Sequence, residues 1–130
     1  MRDAEYFVAK ARCHKLGMNF DPYHLNKVSY YPRAESLKHF VAKCIVYSIL
    51  RNYGRLVFTE YPLNEQVRID VFDLDYQYAY ELETNPKRFK ETKMQILMED
   101  PRVKEIIIID LHKIPNDIEQ MHLKLKEYVV

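Results

Sequence analysis

The sequence predicts an α/β domain in which a mixed sheet is flanked by helices. Three observations carry that expectation. Residues 55–84 hold three short runs rich in β-branched and aromatic residues, joined by a few turn residues, so their strands pair as an antiparallel meander. A helical pattern over residues 86–98 separates these runs from VKEIIIIDL at 103–111, whose four consecutive isoleucines read as a further strand. Two strands joined through a helix form a right-handed crossover and lie parallel. One more helix precedes this set and another follows it.

The chain has 130 residues, enough for one domain with a real core. It divides into an N-terminal helix and arm at 1–33, a core at 34–112 and a C-terminal helix at 113–130. Net charge is +1, so bulk charge does not announce a nucleic-acid partner. No apolar run is long enough to span a membrane and none reads as a signal peptide. The expectation is therefore an intracellular, cytoplasmic protein with no membrane partner. Cys13 and Cys44 lack metal-ligand spacing and read as thiols in a reducing compartment, a disulfide being the alternative.

The first helix spans Asp3–Leu16, with Tyr6, Phe7, Ala11 and Cys13 as a partial apolar stripe and Gly17 as its stop. Residues 18–32 form an irregular arm whose tyrosines cover the core or, alternatively, stack on bases. Residues 34–52 make the strongest helix. Leu37, Phe40, Val41, Cys44, Ile45, Ser48 and Ile49 recur at helical spacing, Glu35, His39 and Lys43 step by four, and Tyr53-Gly54 ends it. Glu35 falls in its first turn, where a carboxylate complements the helix dipole.

A strand at 55–61 and a turn at 62–65 follow. Then comes QVRIDVFDLDYQYAYELETN, residues 66–85, which reads as two strands around a turn at Asp73, Asp75 and Gln77. Its acids lie in apolar context. Asp70 sits between Ile69 and Val71, and Glu81 between Tyr80 and Leu82. Glu81 and Glu83 share a strand face by alternation. A hairpin brings Asp70 alongside them. Such a cluster resists burial unless something positive meets it, and a hard divalent cation does so. The alternative is that these acids form a solvated face.

The helix at 86–98 opens with Asn85-Pro86 and the cations Lys87, Arg88 and Lys90, then Lys93, with Phe89, Lys93, Ile96 and Leu97 along one face. Cations at a helix start oppose its dipole, and contact with phosphates is one reason for them to be there; a solvated basic face is the other. The isoleucine strand reads as internal, buried on both faces. A last helix at 117–128, capped by Asn116 or Asp117, shows Ile118, Met121, Leu125 and Tyr128 as its stripe.

In this order of elements, with Glu35, the RIDV around Asp70 and the YELET around Glu81, the chain resembles the PD-(D/E)XK, or restriction-endonuclease-like, nuclease superfamily. It looks most like the compact archaeal and archaeal-virus members. The resemblance covers about residues 34–112 and implies an αβββαβ core. It implies a Mg²⁺- or Mn²⁺-dependent nuclease acting on DNA with little sequence specificity. Asp70, Glu81, the carbonyl of Leu82 and Glu83 would hold the metal, with Glu35 completing the site. The sequence departs from the pattern in having Ile69 before Asp70 and Glu83 where the family carries lysine. Lys93, Lys87 or Lys90 would then supply the cation, and Lys87, Arg88 and Lys90 would meet flanking phosphates. A symmetric homodimer, built through the last helix or the N-terminal arm, would suit a duplex substrate. The competing expectations are an inactive nucleic-acid-binding module of the same fold and a protein-interaction domain.

Overall fold

The structure is a computed structural model and describes residues 3–28, 35–84 and 91–130. Within them the order is α1 (Asp3–Leu16), α2 (Leu37–Asn52), β1 (Val57–Pro62), β2 (Arg68–Asp73), β3 (Tyr78–Glu83), α3 (Glu91–Glu99), β4 (Glu105–Asp110) and α4 (Ile118–Lys126). The sheet order is β1-β2-β3-β4. The first two pairings are antiparallel and β3 runs parallel to β4. The expected mixed sheet with helices on both sides is therefore present.

Two cores form on the two faces of the sheet. Ala9 and Cys13 of α1, Leu25 of the arm and Leu97 of α3 pack on Phe58, Tyr61, Ile69, Phe72 and Ala79. On the opposite face Ala42, Val46 and Ile49 of α2 and Met121 and Leu125 of α4 pack on Val57, Val71, Tyr80, Leu82 and Ile109. Each helix keeps an apolar stripe because only one side meets the sheet. In α1 the stripe is shifted from expectation: Ala9 and Cys13 are buried, whereas Phe7 and Ala11 are exposed. Gly17, at φ +69°, ends α1 in the left-handed conformation while the Met18 N–H donates to the Cys13 carbonyl at 2.8 Å. The arm lies along β1, with Leu25 buried against Phe58, but its Tyr23 is 77 % exposed.

Two expectations need correction. The second helix begins later than residue 34. Ser36 is its N-cap, its Oγ accepting from the His39 N–H at 3.1 Å, so Glu35 lies outside the first turn and Leu37 faces solvent. Among the described residues the isoleucine strand β4 is an edge strand, paired with β3 alone; Ile109 is fully buried and Ile106, Ile107 and Ile108 are half-buried. Among the described residues no strand pairs with the other side of β4. Of the last helix's stripe, Met121 and Leu125 are buried on α2's face and Tyr128 packs against them, while Ile118 is exposed. Asp117 caps this helix by accepting from the Gln120 N–H. No helix among the described residues is long and apolar enough to cross a membrane.

Candidate active site

Strand alternation fails at one place, and the site is built there. Phe58 and Tyr61 of β1 are three residues apart yet share the α1 face, as do Ile69 and Phe72 of β2. The slip falls at Glu60, whose φ of +49° is a left-handed conformation that costs a glutamate energy. Ladder pairing runs through Thr59↔Val71 and resumes at Tyr61↔Ile69, leaving Glu60 opposite Asp70. The backbone turn aims the Glu60 carboxylate toward α2, where Lys43 meets its Oε1 at 3.0 Å.

The β2–β3 ladder opens at the same level. Its last paired residues are Val71 and Tyr80, so Asp70 and Glu81 come next and face one another. Each carboxylate takes a backbone donor from the other strand. The Asp70 N–H donates to Glu81 Oε2 and the Leu82 N–H donates to Asp70 Oδ2, both at 2.9 Å. Side chains thus stand in for ladder bonds, holding two acids together at the strand ends.

Helices from both faces reach this point. From α2, His39 Nδ1 lies 2.6 Å from Glu35 Oε1 and Nε2 lies 3.4 Å from Asp70 Oδ2. One turn on, Lys43 has no exposed surface and places its ammonium 2.9 Å from Glu35 Oε2. From α3, the Lys93 ammonium contacts Glu81 Oε1. Five carboxylates (Glu35, Glu60, Asp70, Glu81 and Glu83) therefore gather around three cations (His39, Lys43 and Lys93). Glu35, His39, Glu60, Asp70, Glu83 and Lys93 line a cleft of about 340 Å³ that opens into a groove of about 1040 Å³ past Arg68 and Ile96, whereas Glu81 and Lys43 are fully buried.

The electrostatics follow from burial and proximity. Burial, then the charge of Asp70, push Glu81 up to about 8, with Lys93 pulling back part of the way. Burial would likewise raise Asp70, but His39, Lys93 and the Leu82 N–H outweigh it and hold this carboxyl below the usual range. Burial would lower His39, yet Asp70 and Glu35 together raise it to about 9. Glu60 and Glu83 are both raised, first by burial and then by the charge of Asp70. Lys43 and Lys93 keep their charge because their acid partners overcome the cost of burial.

The sequence-derived residues Glu35, Asp70, Glu81, Glu83 and Lys93 are thus brought together, and the peptide of Leu82 lies among them. Glu81 is fully buried, which overturns the solvated-face alternative for this acid. Lys87, Arg88 and Lys90 lie outside the described residues. Sequence reasoning missed Glu60 and the roles of Lys43 and His39. The four-residue stepping from Glu35 through Lys43 was the available signal for the latter two; nothing in the sequence marked the face slip that recruits Glu60. Among the described residues no three His, Cys, Asp or Glu side chains are already arranged as a metal cage, Glu81 being tied to Lys93 and Asp70 to the Leu82 N–H. Comparison with protein-family models, curated proteins and solved structures gave no match.

Proposed function

We infer that this protein is a divalent-metal-dependent nuclease that hydrolyses phosphodiester bonds, with DNA as its substrate. The observation that supports this most is the facing pair Asp70 and Glu81, held at an opened ladder inside a cluster where carboxylates outnumber cations among the described residues. Among the described residues of the cluster, with all groups ionised, the five carboxylates exceed His39, Lys43 and Lys93 by two charges. A divalent cation matches that deficit, and the donor set is the hard oxygen set that Mg²⁺ or Mn²⁺ takes. Asp70, Glu81 and the Leu82 carbonyl would hold the ion, with Glu83, Glu35 and Glu60 around it. Once bound, such an ion lowers the pKa of a water and offsets charge on the scissile phosphate.

The protein's own groups do the rest. Lys93 comes from α3 rather than from β3, where Glu83 stands in the family's lysine position. Its ammonium already sits on Glu81 Oε1, so it can orient a water and stabilise the charge that develops on the phosphate. His39 and Lys43 fix Asp70, Glu35 and Glu60 from the α2 side. Lys87, Arg88 and Lys90, just before α3, would neutralise flanking phosphates without reading bases.

One observation favours a second reading. Lys43, Lys93 and His39 already compensate most of the acid charge, as they would in a binding module that keeps the fold without catalysis. The experiment that separates the two is incubation with linear, single-stranded and branched DNA, with and without Mg²⁺ or Mn²⁺. The nuclease cuts at least one substrate only with metal, and Asp70→Asn and Lys93→Met each slow it by roughly 10²-fold or more. Folded protein that binds DNA salt-sensitively and cuts none of these would establish the binding module instead.

A further inference from the structure

The two edges of the sheet are treated differently. Along β1, residues 24–27 of the arm act as a cover: the Asn26 N–H donates to the Val57 carbonyl at 2.7 Å, the Thr59 N–H to the His24 carbonyl at 3.1 Å, and the Val57 N–H to Asn26 Oδ1. No described residue covers the outer edge of β4 in this way. The Lys104 N–H donates to the Gln77 carbonyl beside β3, so by alternation Ile106 and Ile108 turn their backbone groups inward. Glu105, Ile107 and Ile109 turn theirs outward. β4 also lacks the usual protections of an edge strand: it has no proline, and its only charges stand at its two ends.

We propose that the outer edge of β4 is the docking surface for a second copy of this chain, the two strands pairing antiparallel about Ile107 to make one continuous eight-stranded sheet. Charge selects this register. With Ile107 opposite Ile107, Lys104 of each copy stands opposite Asp110 of the other, and Ile106 stands opposite Ile108. Asp110 uses Oδ1 to accept the His112 N–H at 3.0 Å, which leaves its second oxygen for that lysine. Ile108 gains most. It is half-buried and belongs to neither core, whereas Ile106 and Ile107 each pack against one. The outward backbone groups of Glu105, Ile107 and Ile109 fall at hydrogen-bonded positions of the new pair. A register two residues away in the direction that centres Ile106 would leave Lys104 facing Ile108 and lose both ion pairs. This assignment does not rest on the hydrolytic reading.

The test is the mass of the full chain by sedimentation, from micromolar concentrations upward, together with site-directed crosslinking. The wild type sediments at twice the 15.7 kDa of one chain. Lys104 is exposed, so Lys104→Glu leaves the fold intact while setting glutamate against aspartate at both ends of the pair. Its dissociation constant rises about tenfold. Ile108→Lys weakens the dimer further, with circular dichroism reporting that the monomer is folded. Under mild oxidation Ile107→Cys gives a covalent dimer, since Cα atoms in such a pair lie about 5.5 Å apart, within disulfide reach. Neither the wild type nor Ile118→Cys, on the 65 %-exposed outer face of α4, does so. A monomer at every concentration overturns the proposal. So does a dimer indifferent to both substitutions, or one crosslinked at position 118 and not at 107.

Discussion

Replacing Glu81 by glutamine should make the metal-free protein more stable. Glu81 has no exposed surface, and its carboxyl is raised from an ordinary 4.5 to about 8. In the unfolded chain the same group ionises freely. Between pH 4.5 and pH 7 the unfolded state therefore gains about 1.4 kcal/mol per pH unit that the folded state does not. That amounts to about 3 kcal/mol at pH 7. Glu81→Gln abolishes this titration and keeps an oxygen to accept the Asp70 N–H, but it forfeits the ion pair with Lys93. The two effects together leave a gain of about 1–3 kcal/mol, or about 4–11 °C in Tm for a chain of this length. Denaturation followed by circular dichroism in a chelator, at pH 7 and pH 4.5, measures it. Because a raised carboxyl destabilises only above its unfolded value, the gap between variant and wild type should widen as pH rises from 4.5 and close as it falls. A variant less stable than wild type at pH 7 would overturn this expectation, because the Lys93 contact would then outweigh the cost of burying the carboxyl. So would a gap that does not change with pH.

Lys43→Met leaves the Glu35 and Glu60 carboxylates without their shared ammonium. It should cost about 3–5 kcal/mol, lowering Tm by about 11–18 °C, and a loss below about 1 kcal/mol in chemical denaturation would contradict the clamp. His39, raised to about 9, contributes stability that is fully present below pH 6.5 and lost as pH rises to 9. The metal-free wild type should therefore lose about 3 kcal/mol more across that window than His39→Gln, as read by urea midpoints at the two pH values.

Much of the fold is legible in the sequence because local pattern and global architecture agree. The short links around residues 62–67 and 74–77 leave the first three strands only antiparallel pairing, and the helix before β4 makes that strand parallel. The position of β4 at the edge was not legible. A run of isoleucines reports hydrophobicity, whereas edge or centre depends on how many strands the sheet contains. In the site, Asp70, Glu81 and Glu83 could be found because strand alternation and a tight turn fix their relation over a few residues. Glu35 reached the cluster by a different route from the one expected, from just before the Ser36 cap. Glu60 was hidden because it depends on a single left-handed residue that changes which face its side chain meets. Lys43 was hidden because a lysine in a helical i, i+4 series normally reads as surface, and only the acids arriving from outside α2 make its complete burial tolerable.

The proposed nuclease depends on a divalent cation bound at the Asp70–Glu81 centre. The most direct measurement is a calorimetric titration of Mn²⁺ into the metal-free wild type and into Asp70→Asn, whose side chain still accepts the Leu82 N–H. Saturable uptake is expected for the wild type, weakened at least about tenfold in the variant, consistent with loss of one ligating charge. Absence of uptake by the folded wild type, or equal uptake by both proteins, would contradict it.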